Sequence, residues 1–350
     1  MTDSLLNKEF RGKNILVTGG TGSIGSEIVR QLLKFKPKKV RVFARHEDRH
    51  YQLMHELDSA SEQLRFVVGD VRDKDRLRMA MEGADIVFHA AALKQVAMCE
   101  YNPFEAVKTN IVGAQNVIEV ARDLNIGKVI GISTDKVAEP EGIMGVSKLM
   151  AEKLFLSSFY YKGDRKTKFA CVRFGNVLGS RGSILPMIRK QMSLNGEVFV
   201  TDPKMTRFVM TIPQAAGLVL SATNIMRGHE IFVLKMPAVR LVDLVKTAVK
   251  YYAPQFGKNY SAIKIRTIGK RAGEKIHEKL LADHEVARAL ETKDMYILTP
   301  HEKVVKTEYK EKYPARPVAT GSKNFSSEFA PRLSSAELLA LIKEADVHQT

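Results

Sequence analysis

The sequence predicts an α/β protein: a doubly wound parallel sheet covered by helices on both faces, with a smaller α/β substrate lobe toward the C-terminus. Three observations predict it. Short apolar runs of strand length recur through the first half, helix-period stretches separate them, and the first run leads into a glycine-rich turn that opens a helix. Strands joined by crossover helices are parallel and buried on both faces, so they read as continuously apolar rather than alternating.

The strand-length runs lie at 14–18, 40–43, 64–68, 85–89, 128–132 and 169–173. Between them, residues 23–34, 74–81, 104–124 and 144–161 space apolar side chains three and four apart, the period of a helix with one buried face. After about Gly179 the rhythm loosens. Short strands are expected at 197–201, 208–210, 230–234 and 263–268, among helices at 213–225 and 241–252, the latter a candidate to pack back on the first domain. The domain expectation is 1–180 for a dinucleotide-binding unit, 181–320 for a second lobe, and 321–350 for a polar tail with one helix at 335–345.

With 45% apolar and 27% charged residues the composition is that of a globular protein. The net charge of +16 is spread along the chain, without a basic arm or a zinc-finger spacing, so small polyanions are favoured over nucleic acid as partners. Lys34, Lys36, Lys38 and Lys39, like Lys306, Lys310 and Lys312, read as solvated connections. Two cysteines, Cys99 and Cys171, give neither a disulfide framework nor a metal-ligand spacing, which points to a reducing cytoplasm and no metal site. No export signal is read at the N-terminus and no membrane-length apolar run in the chain.

The turn is Thr18-Gly19-Gly20-Thr21-Gly22-Ser23-Ile24-Gly25. Gly19 permits a tight turn, Gly22 lets main-chain amides approach a pyrophosphate and Gly25 allows close helix–strand packing, with the helix N-terminus adding partial positive charge. The second strand ends at Arg45, where a nucleotide site for NAD commonly has an acid; an arginine suits a 2′-phosphate, so NADP is expected, although Glu47 is within reach of a ribose. Asp70 and Val71 follow the third strand, near the adenine by analogy with this fold. Asp70 also reads as a helix cap.

Several segments together resemble one family. They are the glycine turn, His89-Ala90-Ala91-Ala92-Leu93-Lys94-Gln95-Val96, Glu100-Tyr101-Asn102-Pro103, Lys108-Thr109-Asn110, Ser133-Thr134-Asp135-Lys136 and Arg173-Phe174-Gly175-Asn176-Val177. The chain resembles, over roughly residues 12–300, the polysaccharide-biosynthesis branch of the extended short-chain dehydrogenases of Rossmann fold, whose best-known members are UDP-N-acetylglucosamine 4,6-dehydratases. The resemblance implies C4 oxidation by the cofactor, elimination of water across C5 and C6 and hydride return to C6, for a surface glycan or a nonulosonic acid such as pseudaminic acid. It assigns protonation of the leaving C6 hydroxyl to Asp135, removal of H5 to Lys136 and a hydrogen bond near O4 to Thr134. It adds Thr21, Ser23, Ile24, Ala90 and Ala91 to the cofactor set. A lysine base needs a depressed pKa, which desolvation beside a cationic nicotinamide would favour.

Short-chain dehydrogenases ordinarily place a tyrosine four residues before a lysine on one helix face. Lys148 fits the lysine, contacting the nicotinamide ribose, but Met144 occupies the tyrosine position, and a thioether cannot take a proton. Members of the resembled family carry the same substitution. The C4 proton then falls to Asp135, Thr134 or a water. Asn176 and the loop around Arg181 are expected on the UDP side with Lys94, Arg207, Arg271 and Glu274, and Lys275 adds charge. A nucleotide-sugar 4-epimerase is the enzymatic alternative, and an NADP-binding regulator the non-catalytic one. A homo-oligomer is expected through helices 104–124 and 144–161, with Leu154, Phe155, Tyr160 and Tyr161 as apolar surface.

Overall fold

The computed structural model describes residues 3–161, 163–299, 315–319 and 321–347. Lys306, Lys310 and Lys312 lie outside these. β1 (Asn14–Thr18), β2 (Lys39–Ala44), β3 (Leu64–Val68), β4 (Ile86–His89), β5 (Lys128–Ile132) and β6 (Lys168–Arg173) form within one residue of expectation. Their side chains explain this: Leu16, Val17, Val42, Val87, Phe88, Val129, Ile130, Phe169 and Val172 are completely buried, as a sheet covered on both faces requires. Beyond β6 come β7 (Asn176–Val177), β8 (Glu197–Val200), β9 (Thr206–Met210), β10 (Ile231–Leu234), β11 (Ala238–Arg240), β12 (Lys264–Thr267), β13 (Ala289–Glu291), β14 (Met295–Leu298) and β15 (Arg316–Pro317).

The main sheet has the order β15-β13-β14-β10-β6-β5-β4-β1-β2-β3. Pairing is parallel from β3 through to β10, and antiparallel from β14 outward. β1 lies between β2 and β4, so the chain winds outward to β3 and then returns to the other side of β1. That reversal opens a crevice at the carboxyl ends of β1 and β4, the place where this architecture binds ligands.

The division at residue 180 does not follow the sheet. β10, β13, β14 and β15, expected in the second lobe, extend the first sheet. Nor does the helix Leu241–Tyr252 pack back on it: its Leu244, Val245, Ala248 and Tyr252 lie in a second core with Leu185, Val198 and Ile342. The helix Ile212–Ile225 does so instead, and Gln31 of the helix Ser23–Leu33 donates to the Pro213 carbonyl at 3.1 Å. The polar tail is also more integral than its composition suggests. The helix Ser335–Val347 buries Leu338, Ile342 and Ala345 in the second core, with Ser334 and Glu337 closing its N-terminus.

The helix expected at 104–124 forms, as Pro103–Ala106, a wide π-turn Val107–Val112 and Gly113–Asp123 joined through right-handed helical backbone. The inserted turn aims Asn110 inward. Its amide brackets Leu93, accepting from the main-chain N–H at 2.8 Å and donating to the carbonyl at 3.0 Å, and donates to Ser147 at 3.0 Å. The helix expected at 144–161 runs Ile143–Ser157 and ends in a 3₁₀ turn. Phe155, expected on an outer surface, is instead 1% exposed and packs against Phe169 and His89.

A buried ion triad crosses the whole arrangement. Arg173, at the end of β6 and fully buried, meets Glu152 at 2.6 Å and Glu285 at 2.7 Å, and donates to the Leu280 carbonyl at 2.8 Å. Burial works against its charge, but the two carboxylates outweigh it and hold the guanidinium above its ordinary value. Removing the cation would strand two buried carboxylates. Arg173→Met is expected to lower unfolding free energy by about 3–5 kcal/mol; a guanidinium titration showing a loss under about 1 kcal/mol would contradict that role.

Candidate active site

At the end of β1 the chain turns through Gly19, whose φ of +66° favours glycine. A Cβ there would lie 2.7 Å from the Ala91 nitrogen, and one on Gly25 would lie 2.2 Å from the Gly19 carbonyl oxygen. The loop therefore closes against Ala90 and Ala91 and leads directly into the N-terminus of the helix Ser23–Leu33. Thr21 and Ser23 are buried in this turn.

Arg181, expected on the UDP side, lies against the glycine turn: its guanidinium donates to the Thr21 carbonyl and its main-chain N–H to Ser23 Oγ at 3.0 Å. Beside it, Ser180 accepts from Lys94 at 3.3 Å, and Gly182 (φ +69°) lies hard against Gln95. The loop from the second half thus straps across the glycine turn. Burial, then the neighbouring Arg181, lowers the pKa of Lys94.

Arg45 is half exposed at the end of β2 and stands 3.5 Å from Asp70. Asp70 is held mainly by Arg72, at 2.8 Å, and its pKa falls because those hydrogen bonds outweigh burial. It is not the cap of the next helix; Asp73 is, accepting from the Arg76 N–H. Val71 is buried and packs on Gly113.

Thr134, Asp135 and Lys136 follow β5 as one hydrogen-bonded unit. Asp135 Oδ1 accepts from Thr134 Oγ1 and from Lys136 Nζ, each at 3.0 Å, while Oδ2 is buried without a hydrogen bond. Lys136 Nζ also reaches Asn176 Oδ1 at 3.4 Å and Glu278 at 3.5 Å. The expected depression of its pKa is not found. Burial lowers it, but Asp135 and then Glu278 outweigh that, so the group is raised and stands as an ammonium.

Met144 is 5% exposed among Cys99, Ala106, Leu93, Val96 and Ile143, so it serves as a packing residue. Lys148, one turn later, donates to the Ile132 carbonyl at 2.5 Å, and burial lowers its pKa. His89 lies beneath, bonded to Thr18 at 2.8 Å, with a pKa pushed down to about 3 by burial and then by Lys148, so it stays neutral.

Arg207, expected on the UDP side, is buried, and its guanidinium donates to the main-chain carbonyls of Thr206, Ile276 and Lys275. Arg271 and Glu274 are exposed or part-exposed beside Gly273, and the Arg271 main-chain N–H donates to the Glu274 carboxylate at 3.3 Å. A cleft beside this segment is lined by Lys136, Glu141, Met144, Gly273, Lys275 and Glu278, and sequence reasoning missed Glu278 and Glu141 altogether. Glu100, which caps the helix Ile143–Ser157 by accepting from the Ile143 N–H at 2.7 Å, was quoted only as part of a motif.

A family profile described as "Polysaccharide biosynthesis protein" matches residues 15–300. The chain is 53% identical over 83% of its length, and 87% of the relative's, to an "Uncharacterized membrane protein" of Methanocaldococcus jannaschii. It is 39% identical to a Campylobacter jejuni "UDP-N-acetylglucosamine 4,6-dehydratase (inverting)", covering 85% of this chain and 86% of that one. A Rickettsia bellii "UDP-glucose 4-epimerase" is 40% identical over 82% of this chain and 83% of its own. The solved structure of Pen from Bacillus thuringiensis superposes with a TM-score of 0.89 at 40% identity, covering 97% of this chain and 99% of that one. The chain belongs to this polysaccharide biosynthesis protein family. Among the described residues no helix is long and apolar enough to cross a membrane.

Proposed function

We propose that the protein is a UDP-N-acetylglucosamine 4,6-dehydratase that works with NADP. The observation that carries this reading is the Asp135–Lys136 pair: a buried carboxylate and an ammonium 3.0 Å apart, at the crevice, where the dehydrogenase tyrosine is replaced by a packed Met144. The glycine turn fits a dinucleotide because a side chain at Gly19 or Gly25 would fill the space its main chain needs. Bound there, the nicotinamide would supply the reversible hydride acceptance that the reaction needs.

The chain's own residues handle the protons. Thr134 Oγ1 donates to Asp135, which gives the C4 hydroxyl proton a route through Thr134 to that carboxylate. While Asp135 holds that proton its charge is gone from beside Lys136, desolvation weighs more on the ammonium, and the amine loses its proton to solvent through the cleft. Lys136 then removes H5, Asp135 gives its proton to the departing C6 oxygen, and Lys136 later gives the H5 proton back to C5. No proton passes through position 144.

Incubation with UDP-N-acetylglucosamine followed by mass spectrometry should show the loss of one water. Asp135→Asn and Lys136→Met should each lower turnover on the order of a hundredfold or more, while Met144→Leu stays within a few-fold. Unchanged product mass with the wild type would instead favour a 4-epimerase, the activity named for the Rickettsia relative.

NADP preference rests on Arg45, whose half-exposed guanidinium is free to swing from Asp70 toward a 2′-phosphate. Arg45→Asp should weaken NADP binding at least tenfold more than NAD binding in calorimetry. Equal weakening of both would remove the assignment.

A homodimer belongs to the same reading. Met98, Tyr101, Phe104, Val107, Val146 and Met150 are exposed on the helices Val96–Tyr101, Pro103–Ala106 and Ile143–Ser157 and the π-turn between them. Contiguous apolar surface of this kind marks association. Sedimentation should find a dimer at micromolar concentration, and a monomer there would sink the proposal.

A further inference from the structure

Glu278 is a buried carboxylate that the proton transfers above leave without a task. It is 2% exposed and lines the same cleft as Lys136, Met144 and Lys275. Its Oε1 lies 3.5 Å from Lys136 Nζ and 3.9 Å from Arg207 Nε, and its Oε2, 4.0 Å from Lys275 Nζ, is buried without a hydrogen bond. The main chain beneath it is pinned. The Glu278 N–H donates to Ser327 Oγ and the Ser327 N–H to the Glu278 carbonyl, both at 2.8 Å, and Ser327 Oγ is 2.7 Å from Thr206 Oγ1. A desolvated carboxylate oxygen left unbonded is costly, so a rigid support that keeps one facing a cleft is poor packing design.

We propose that Glu278 is a positioning residue for the reaction: from the second half of the chain it anchors Lys136 Nζ and supplies the charge that keeps this amine an effective base. The inference rests on the dehydratase reading. Lys136 is faced by Asp135 on its own loop, by Glu278 and Lys275 on the segment after β12, by Arg207 on β9, and by the amide of Asn176 on β7, with Glu141 on the cleft wall. Burial and Arg207 favour the neutral amine, while Asp135 and Glu278 favour the ammonium. Once Asp135 has taken up the C4 proton, Glu278 is the carboxylate still opposing burial and both cations. Without it the amine would be neutral but too weak a base to remove H5 quickly.

Glu278→Gln keeps the shape and removes the charge; Glu278→Asp keeps the charge. In folded, cofactor-loaded Glu278→Gln, the plateau of kcat should fall about tenfold, and its acid limb, which reports Lys136 protonation, should move down by about one pH unit, with KM changed less than threefold. Glu278→Asp should leave the limb near its wild-type position. A limb that stays put in Glu278→Gln overturns the proposal, including when the plateau falls, because a purely structural role lowers the plateau alone. A second readout needs no turnover: NMR of ¹³Cε-labelled lysine, assigned with Lys136→Met, should show Lys136 of the wild type titrating above an ordinary lysine and lower in Glu278→Gln. If neither variant folds, a wild-type Lys136 titrating below the ordinary value still refutes the coupling. If the wild type does not dehydrate UDP-N-acetylglucosamine, the functional reading fails, while the NMR result decides Glu278 separately.

Discussion

Arg173 is the residue on which the geometry of this protein depends. Its guanidinium is completely buried at the carboxyl end of β6, where an unpaired cation would not be tolerated, and the carboxylates that neutralise it come from distant parts of the chain. Glu152 belongs to the helix that carries Met144 and Lys148, and also accepts from Ser133 at 2.7 Å, the residue before Thr134. Glu285 lies seven residues past Glu278 and accepts from the Ala282 N–H at 2.9 Å. One charge requirement therefore fixes three segments that bear on the cleft: the end of β5, the Lys148 helix and the returning chain near Glu278.

The crevice beside β1 follows from winding order rather than from any one contact. Because β4 pairs with β1 on the side opposite β2, the loops after β1 and β4 meet, and the glycines let them meet closely. Across this junction runs the 179–183 loop, bonded to Thr21 and Ser23 on one side and touching Lys94 and Gln95 on the other. A dinucleotide lodged beneath would be enclosed by both halves of the chain.

The parallel sheet and the glycine turn were legible because both obey local rules: apolar runs of fixed length, and glycines where a Cβ has no room. Asp135 and Lys136 were legible as a motif, and adjacency in sequence brought them together. The errors have a common cause, which is that sequence spacing says little about partners far along the chain. Arg207 reads as a loop cation but is buried, bonded to three carbonyls and 3.9 Å from Glu278. Glu278 sits in a mixed-charge stretch, Glu274-Lys275-Ile276-His277-Glu278-Lys279, that looks like solvated surface, yet long-range packing buries it. Phe155 was misjudged for the same reason, and the helix Ser335–Val347, expected as a helix, owes its burial to segments remote in sequence.

The charge pattern at the cleft explains how a methionine can stand at position 144. A tyrosine serves as a base only when a neighbouring lysine lowers its pKa, so that arrangement needs one cation and a phenol. Here Lys136, Arg207 and Lys275 face Asp135 and Glu278 within 4.0 Å, leaving one positive charge in excess. A buried carboxylate and an amine are then both present without a phenol, and the side-chain position at 144 fills the small apolar cluster around Cys99 and Ala106.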